Sequence, residues 1–197
     1  MAHETCRADR LRFARQFLRT PLITAAPVPS SAALAACMVA PIPRTGDPLV
    51  VELGAGTGAF TVAAQEVLRG RGRHLAIECN PEWATLLAER HPSVEVVKAQ
   101  AHELPALLDR PADVIISGLP WSAYWPEGQR PLIELLAGAL GPEGTLTQFS
   151  YSWSRWAPPA RRQHREFDAA FEEIVVSRTV LRNLPPAYVY YARRPRG

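Results

Sequence analysis

Short apolar runs alternate with longer segments of helical periodicity over most of the chain. The apolar runs predict strands over residues 49–53, 74–78, 94–98, 113–117 and 145–151. Between them, apolar positions at helical spacing predict helices over residues 58–69, 82–90, 103–108 and 129–140. This alternation predicts a mostly parallel sheet with right-handed crossovers, so ligands are expected at the carboxyl ends of the strands.

The first 40 residues carry a different pattern, with two helices and no strand. Residues 7–19 predict a helix with an apolar stripe and arginines beside it. A second helix is expected over about residues 31–40, with Ser30 or Ser31 as its cap. Residues 1–40 are therefore expected to form a helical segment ahead of the α/β core.

Length and composition favour one domain. The 197-residue chain is 47% hydrophobic, enough for one sizeable core, and its last apolar runs at 174–176 and 187–191 predict a closing antiparallel hairpin. We expect a single domain over residues 1–197, with the core at 47–197. No apolar run approaches the length of a membrane span, and the N-terminus lacks an apolar signal core, which favours a cytoplasmic protein. No Cys/His spacing is typical of a metal site, and the isolated histidines are expected to be surface or satisfied polar residues.

The strongest chemical signal is the stretch Glu-Leu-Gly-Ala-Gly-Thr-Gly at residues 52–58, directly after an apolar run. Glycines at alternate positions allow a sharp turn and a close approach of the backbone to a ligand. Glu78 ends the next apolar run, 20 residues after Gly58, at the spacing of a ribose-binding acid. A dinucleotide site has the spacing G-x-G-x-x-G, and the acid Glu52 would repel a pyrophosphate. The pattern instead suits a nucleoside ligand that carries ammonium and sulfonium groups.

Residues 52–58 resemble the first motif of class I S-adenosylmethionine-dependent methyltransferases. The resemblance implies a Rossmann-like fold with a mostly parallel seven-stranded sheet, S-adenosylmethionine as cofactor and S-adenosylhomocysteine as product. It places Glu52, Gly54 and Gly56 beneath the methionine end of the cofactor, and Glu78 at the ribose hydroxyls. The alternative for residues 52–58 is an ordinary glycine-rich turn in a doubly wound domain. For Glu78 the alternative is a cap of the helix that begins near Pro81, a role that is compatible with ribose binding.

Four further residues complete the expected cofactor site. Cys79 follows the ribose-binding acid directly, and Ser117 ends the fourth predicted strand. After the third strand, enzymes of this class commonly carry an aspartate that accepts the adenine amino group, whereas this chain has Gln100, followed by Ala101. The amide oxygen of Gln100 can accept the same hydrogen bond without a charge.

The loop after the fourth strand, beginning Ser-Gly-Leu-Pro-Trp at residue 117, is the expected acceptor side of the site. Gly118 lets the backbone approach the transferred methyl group, and Trp121 and Tyr124 offer π-faces to a cationic or planar acceptor. Tyr124 and Tyr151 are the candidate proton acceptors. The alternative is that Trp121, like Trp153 further along the chain, only covers the end of the sheet. Bulk at Gly118 is expected to block turnover and to leave cofactor affinity nearly unchanged.

Positive charge is clustered although the net charge is only +3. The clusters are Arg7, Arg10, Arg12, Arg15 and Arg19; Arg155, Arg161, Arg162 and Arg165; and Arg193, Arg194 and Arg196. Arginine binds phosphate in a bidentate manner, so the clusters allow a phosphorylated partner such as a lipid headgroup or a nucleic acid. Ordinary solvated faces are the alternative.

Taken together, the chain resembles the bacterial phospholipid N-methyltransferases, which convert phosphatidylethanolamine to phosphatidylcholine. The matching segments are residues 17–21 with 28–35, 51–58, 76–82, 117–121, 148–151 and 182–187. The resemblance implies N-methylation of a phospholipid headgroup amine and a basic N-terminal helix that lies on the anionic inner face of the membrane. The protein is then expected to be cytoplasmic and peripheral, and its oligomeric state is left open.

Two other methyltransferase functions compete with this interpretation. A small-molecule tailoring enzyme on the same scaffold stays open, because substrate choice depends on a few loop residues. Residues 15–18 and 118–121 also resemble elements of the rRNA adenine dimethyltransferases. Gly118, however, replaces the asparagine of that family, and its C-terminal helical domain is missing, so a nucleic-acid partner is not expected.

Overall fold

A computed structural model describes residues 30–120, 132–156 and 158–196. Its strands are β1 (Leu49–Leu53), β2 (Arg73–Ile77), β3 (Glu95–Val97), β4 (Ala112–Ser117), β5 (Leu140–Tyr151), β6 (Phe171–Val176) and β7 (Ala187–Pro195). Its helices are α1 (Ala32–Val39), α2 (Ala59–Leu68), α3 (Pro81–Arg90), α4 (Leu104–Leu107), α5 (Leu132–Gly138) and α6 (Pro158–Ala170). Short 3₁₀ turns cover Ala101–Glu103 and Ser152–Ser154.

The strands form one seven-stranded sheet in the order β3-β2-β1-β4-β5-β7-β6. Strands β1 to β5 pair in parallel, and β7 runs antiparallel to both β5 and β6. The predicted mostly parallel sheet with a closing antiparallel pair is therefore confirmed. The ends of β1 to β5, the end of β6 and the start of β7 all lie on one side of the sheet, which we call the carboxyl edge.

Helices cover both faces of the sheet, which explains why β1 is buried along its whole length. On one face, the core includes Leu104 of α4, Leu136 of α5 and Phe167 of α6. On the other face, Met38 of α1 and Ala64 of α2 pack against the sheet. The centre of the sheet is thus rigid, and the loops at its carboxyl edge are held by a packed support.

The start of helix α1 is capped and attached to the rest of the fold. Ser31 caps this helix, because its Oγ accepts a hydrogen bond of 3.2 Å from the Leu34 amide. The Ser31 amide donates to Asn183 Oδ1 at 3.0 Å and so fastens the start of α1 to the loop between β6 and β7. The predicted helix over residues 7–19 lies outside the described residues.

Helix α6 is the main element that the sequence pattern did not predict. Its buried side chains are Gln163, Phe167 and Ala170, whereas arginines occupy much of its exposed surface. One large apolar residue in a mostly polar segment is a weak periodic signal, so tertiary contact with the sheet decides this helix. None of the helices in the described ranges is long and apolar enough to cross a membrane.

Candidate active site

The glycine-rich turn leaves β1 at the carboxyl edge and leads into α2. The Gly54 amide donates to the Ile77 carbonyl at 2.8 Å, which ties the turn to the end of β2. Gly54 and Gly56 have φ angles of 66° and 53°, a conformation that other residues rarely adopt. A Cβ atom on Gly54 would stand 2.9 Å from the side chain of Leu119. Glycine is thus required both by the backbone and by the close packing of the next loop.

Glu78 is buried between this turn and the start of α3. Its Oε2 accepts from the Gly56 amide at 2.9 Å, and its Oε1 accepts from the Asn80 amide at 2.8 Å. The cap of α3 is Asn80, whose Oδ1 accepts from the Glu82 amide at 2.9 Å, so the alternative of Glu78 as the helix cap is wrong. Each carboxylate oxygen keeps a second lone pair for a further donor.

Glu52 is 0% exposed, and its two oxygens differ in their surroundings. Oε2 accepts from Thr61 Oγ1 at 2.8 Å and lies 3.1 Å from His74 Nε2. Oε1 is buried and has no hydrogen-bond partner among the described residues. A buried carboxylate oxygen without a donor is unfavourable, so this atom fits a cationic or N–H donor from a ligand.

His74 continues the contacts of Glu52 toward the surface. Its Nδ1 lies 2.9 Å from Gln65 Nε2, and Ser93 Oγ donates to Gln65 Oε1 at 2.9 Å. Both ring nitrogens of His74 therefore have a polar partner, Gln65 at Nδ1 and Glu52 at Nε2. The histidine is buried and satisfied, as expected from its isolated position in the sequence.

The loop after β3 lies beside Glu78. The Glu78 amide donates to the Val97 carbonyl at 3.1 Å, which joins the ends of β2 and β3. Gln100 is half-buried and its amide donates to Glu103 Oε1 at 2.7 Å, while Ala101 is buried. Cys79 is exposed. The sequence-predicted residues after β2 and β3 are therefore brought to neighbouring positions on the carboxyl edge.

The loop after β4 packs directly on the glycine-rich turn. Ser117 is fully buried at the end of β4, and the Gly118 amide donates to the Leu53 carbonyl at 2.8 Å. A Cβ atom on Gly118 would stand 2.8 Å from the Gly54 oxygen and 3.2 Å from the Leu53 oxygen. The expectation that bulk here would leave the cofactor site unaffected is therefore wrong, because the two loops share a backbone contact.

Gln148 holds the same loop from β5. Its side-chain amide donates to the Leu119 carbonyl at 3.2 Å and to the Phe149 carbonyl at 2.7 Å, and the side chain is buried. Buried amides form such hydrogen bonds because an unmatched donor would be unfavourable. Gln148 therefore holds the loop after β4 against the end of β5.

The predicted acceptor aromatics fall into two groups. Trp121 and Tyr124 lie outside the described residues. Tyr151 is half-buried on the face covered by α1 and α2, where its ring makes an edge contact with Phe149 at 5.5 Å between centroids. Phe149 in turn meets Phe60 at 5.9 Å. Tyr151 thus belongs to a row of aromatic rings that leads toward α2.

Four residues around the turn were missed by the sequence analysis as parts of the site. They are Thr61, His74, Trp83 and Gln148. The ring of Trp83 is exposed and lies 3.7 Å from where a Cβ atom on Gly56 would stand. A usable signal existed for three of the four, since Thr61, His74 and Gln148 are polar residues at positions that the apolar pattern assigns to the interior.

The sheet order, the glycine-rich turn and the two buried acids, Glu52 within β1 and Glu78 directly after β2, together define a class I S-adenosylmethionine-dependent methyltransferase. Residues 50–144 match the family model of a methyltransferase domain. The ornithine lipid N-methyltransferase of Singulisphaera acidiphila is 32% identical over 195 residues, which cover 94% of this chain and 96% of that enzyme. The chain therefore belongs to the methyltransferase family that includes this enzyme.

Solved structures agree on the fold. A precorrin-6y C5,15-methyltransferase from Geobacter metallireducens superposes with a TM-score of 0.62 at 17% identity, covering 87% of this chain and 93% of that one. A SAM-dependent methyltransferase from Aquifex aeolicus gives a TM-score of 0.58 at 17% identity, with 81% and 89% covered. At these identities the similarity establishes the architecture alone.

Proposed function

We propose that this enzyme N-methylates the headgroup amine of a membrane lipid, with phosphatidylethanolamine or an ornithine lipid as the acceptor. The observation that carries the proposal is the relationship to a lipid N-methyltransferase across nearly the whole length of both chains. Both acceptors present an amine at the end of a polar headgroup. Such a group can enter the carboxyl edge while the acyl chains stay outside the protein.

The cofactor residues are proposed from the geometry of the turn. The orphaned Oε1 of Glu52 suits the ammonium group of S-adenosylmethionine, and Glu78 suits the ribose hydroxyls. Gly54 and Gly56 give the turn its left-handed backbone beside these acids, and Gln100 follows β3, where a partner for the adenine amino group is expected. When bound, the cofactor supplies an activated methyl group on a sulfonium centre. Cys79, Ala101 and Ser117 complete the proposed set.

The acceptor is proposed to bind at Gly118, with Trp121, Tyr124 and Tyr151 around it. Because the attacking amine must be neutral, the chain has to orient it and accept a proton, and positioning is expected to supply much of the rate. Tyr124 and Tyr151 are the candidate proton acceptors. Tyr190 is unsuited to this role, since burial raises the pKa of its hydroxyl well above the ordinary range.

The test is a transfer assay with radiolabelled S-adenosylmethionine and separate acceptor pools. The pools are vesicles with phosphatidylethanolamine, vesicles with ornithine lipid, rRNA, and a polar metabolite extract. Label in either lipid pool supports the proposal and identifies the headgroup. Label only in the metabolite extract would establish a small-molecule methyltransferase instead, and label only in rRNA would establish an adenine methyltransferase.

Peripheral membrane attachment through the basic N-terminal helix is part of the same proposal. Replacing Arg12, Arg15 and Arg19 by glutamate is expected to release the enzyme from anionic vesicles, because exposed charges act through the surface potential and are screened by salt. Affinity for S-adenosylhomocysteine should stay unchanged. Equal sedimentation with neutral and anionic vesicles would reject a membrane role for this helix.

A further inference from the structure

Two loops at the carboxyl edge expose large apolar side chains to solvent. They connect β5 to α6 and β6 to β7, and the Ser152 amide donates to the Pro186 carbonyl at 2.9 Å, which ties them together. Their exposed side chains form what we call the apolar rim. Its members and exposed fractions are Trp153 at 50%, Trp156 at 76%, Leu181 at 78% and Leu184 at 75%.

The apolar rim lies beside the loop after β4, which is the proposed acceptor side of the active site. Strand β5 pairs with β4, and Gln148 stands opposite Ser117, the last residue of β4, at the lateral strand spacing of about 4.8 Å. Gln148 of β5 contacts the Leu119 carbonyl, and three residues further on β5 ends at Tyr151, where the first rim loop begins. A surface that rests on the rim therefore lies next to the mouth of the proposed active site.

The charged side chains of the two loops are all positive. Arg155 and Arg182 lie between rim residues along the chain, Arg178 lies three residues before Leu181, and all three are exposed. No aspartate or glutamate occurs from residue 144 to 165 or from residue 174 to the end of the sequence. The rim is therefore apolar at its tips and cationic around them, which complements a surface that is anionic outside and apolar beneath.

We propose that the apolar rim docks on the surface of an anionic lipid bilayer and presents the active site to headgroups there. Tryptophan favours the boundary between headgroups and acyl chains, leucine favours the chains, and arginine binds lipid phosphates. Docking in this orientation lets a headgroup amine reach Gly118 without extraction of the lipid from the membrane. The inference rests on the proposed lipid acceptor and adds a contact surface formed by the loops after β5 and β6.

The first test measures insertion of the two rim tryptophans. Full-length enzyme is mixed with vesicles of phosphatidylcholine and phosphatidylglycerol whose phosphatidylcholine carries bromine on the acyl chains. Trp153 and Trp156 are expected to be quenched, so the variant Trp153→Phe/Trp156→Phe should lose a large part of the quenching seen with the native protein. Quenching that is equal in both proteins would overturn the proposal, because the rim would then stay in water.

The second test uses charge and a matched control. Arg178→Glu/Arg182→Glu should lower the vesicle partition coefficient by at least about tenfold. Arg44→Glu/Arg90→Glu makes the same change in net charge at two exposed residues near the opposite edge of the sheet, and it should bind like the native protein. Equal losses in the two variants would mean that only total charge matters, and the rim would have no role in docking.

A third measurement separates the rim from the proposed function. Turnover is measured on vesicles and on a short-chain lipid amine dispersed below its critical micelle concentration. The Leu181→Ser/Leu184→Ser variant should lose turnover on vesicles and keep native turnover on the dispersed lipid. Loss on both substrates, or on neither, rejects the rim as a docking surface, whereas absence of methylation of either lipid by the native enzyme rejects the lipid acceptor itself.

Discussion

At the scale of single residues, the two buried acids of the turn perform different tasks. Glu78 accepts from two backbone amides, so it shapes the turn and still offers lone pairs toward a ligand. Glu52 uses one oxygen for Thr61 and His74 and leaves the other without a donor in the described part of the chain. For the proposed contact with the ammonium group of the cofactor, a carboxylate held in this way is already oriented, which reduces the entropy lost on binding.

Replacing Glu78 by alanine tests the ribose contact. Each charge-assisted hydrogen bond to the ribose is worth about 1.5–3 kcal/mol, so the dissociation constant for S-adenosylhomocysteine should rise by well over about tenfold in calorimetry. Glu89→Ala removes an exposed acid from α3, the helix that follows Glu78, and should leave binding unchanged. Native affinity in a folded Glu78→Ala protein would remove Glu78 from the cofactor site.

Thr61 gives a sharp test of the support beneath Glu52. Thr61→Val keeps the shape but deletes the donor, so a buried carboxylate loses a hydrogen bond worth about 1.5–3 kcal/mol. We expect the free energy of unfolding in urea to fall by about that amount and the affinity for S-adenosylhomocysteine to fall with it. Thr61→Ser keeps the hydroxyl and should recover most of both. Equal losses in Val and Ser variants would point to packing rather than to the hydrogen bond.

At the scale of elements, the glycine-rich turn after β1 and the loop after β4 are one packed unit. Gly54 and Gly118 approach each other so closely that a Cβ atom on either would displace a neighbour. Gln148 fastens the acceptor loop from the other side. A shift of one loop therefore displaces the other. We expect the binding of cofactor and the binding of acceptor to be coupled for this reason.

Gly118→Ala is the corresponding prediction. Its methyl group would meet backbone oxygens of Leu53 and Gly54, which cannot move aside as a flexible side chain would. Turnover and affinity for S-adenosylhomocysteine should both fall, as measured by the transfer assay and calorimetry. Gly138→Ala is the matched control, because nothing lies within 4 Å of its Cβ position in α5. Unchanged cofactor affinity in Gly118→Ala would mean that the loop shifts without disturbing the turn.

At the scale of the whole molecule, the antiparallel side of the sheet is closed by buried tyrosines. The Tyr190 hydroxyl lies 3.4 Å from that of Tyr188, and the Tyr191 hydroxyl donates to the Cys37 carbonyl of α1 at 3.0 Å. Burial raises the pKa of Tyr190 and of Tyr191. Both phenols therefore stay neutral in the folded protein at pH values where they ionise in the unfolded chain.

This difference predicts alkaline destabilisation. Because the folded pKa values are raised, the stabilising contribution is complete below the unfolded value of about 10 and is lost as the pH rises above it. The melting temperature should therefore fall between about pH 10 and 12. In Tyr190→Phe/Tyr191→Phe the baseline stability drops, but the fall with pH should be shallower. A slope equal to that of the native protein would assign the alkaline transition to other groups.

Local sequence determined the strands, most helices and the two cofactor motifs. Buried parallel strands appear as uninterrupted apolar runs, and a glycine-rich turn requires its glycines through backbone geometry alone, so both are visible without tertiary information. The predicted strand at 49–53 has the bounds of β1, and Ser31 is one of the two expected caps. Gln100 and Glu78 were placed by the same rule, since the ends of adjacent parallel strands meet at one edge.

Only the tertiary structure decided the partners of these residues. Thr61 and Gln65 belong to α2 and His74 belongs to β2, so the support of Glu52 arises when these two elements pack together. Helix α6 forms because Phe167 and its neighbours pack against the sheet. The apolar rim likewise depends on which leucines and tryptophans the folded chain leaves uncovered, because exposure is a property of the packed molecule and not of the residue type.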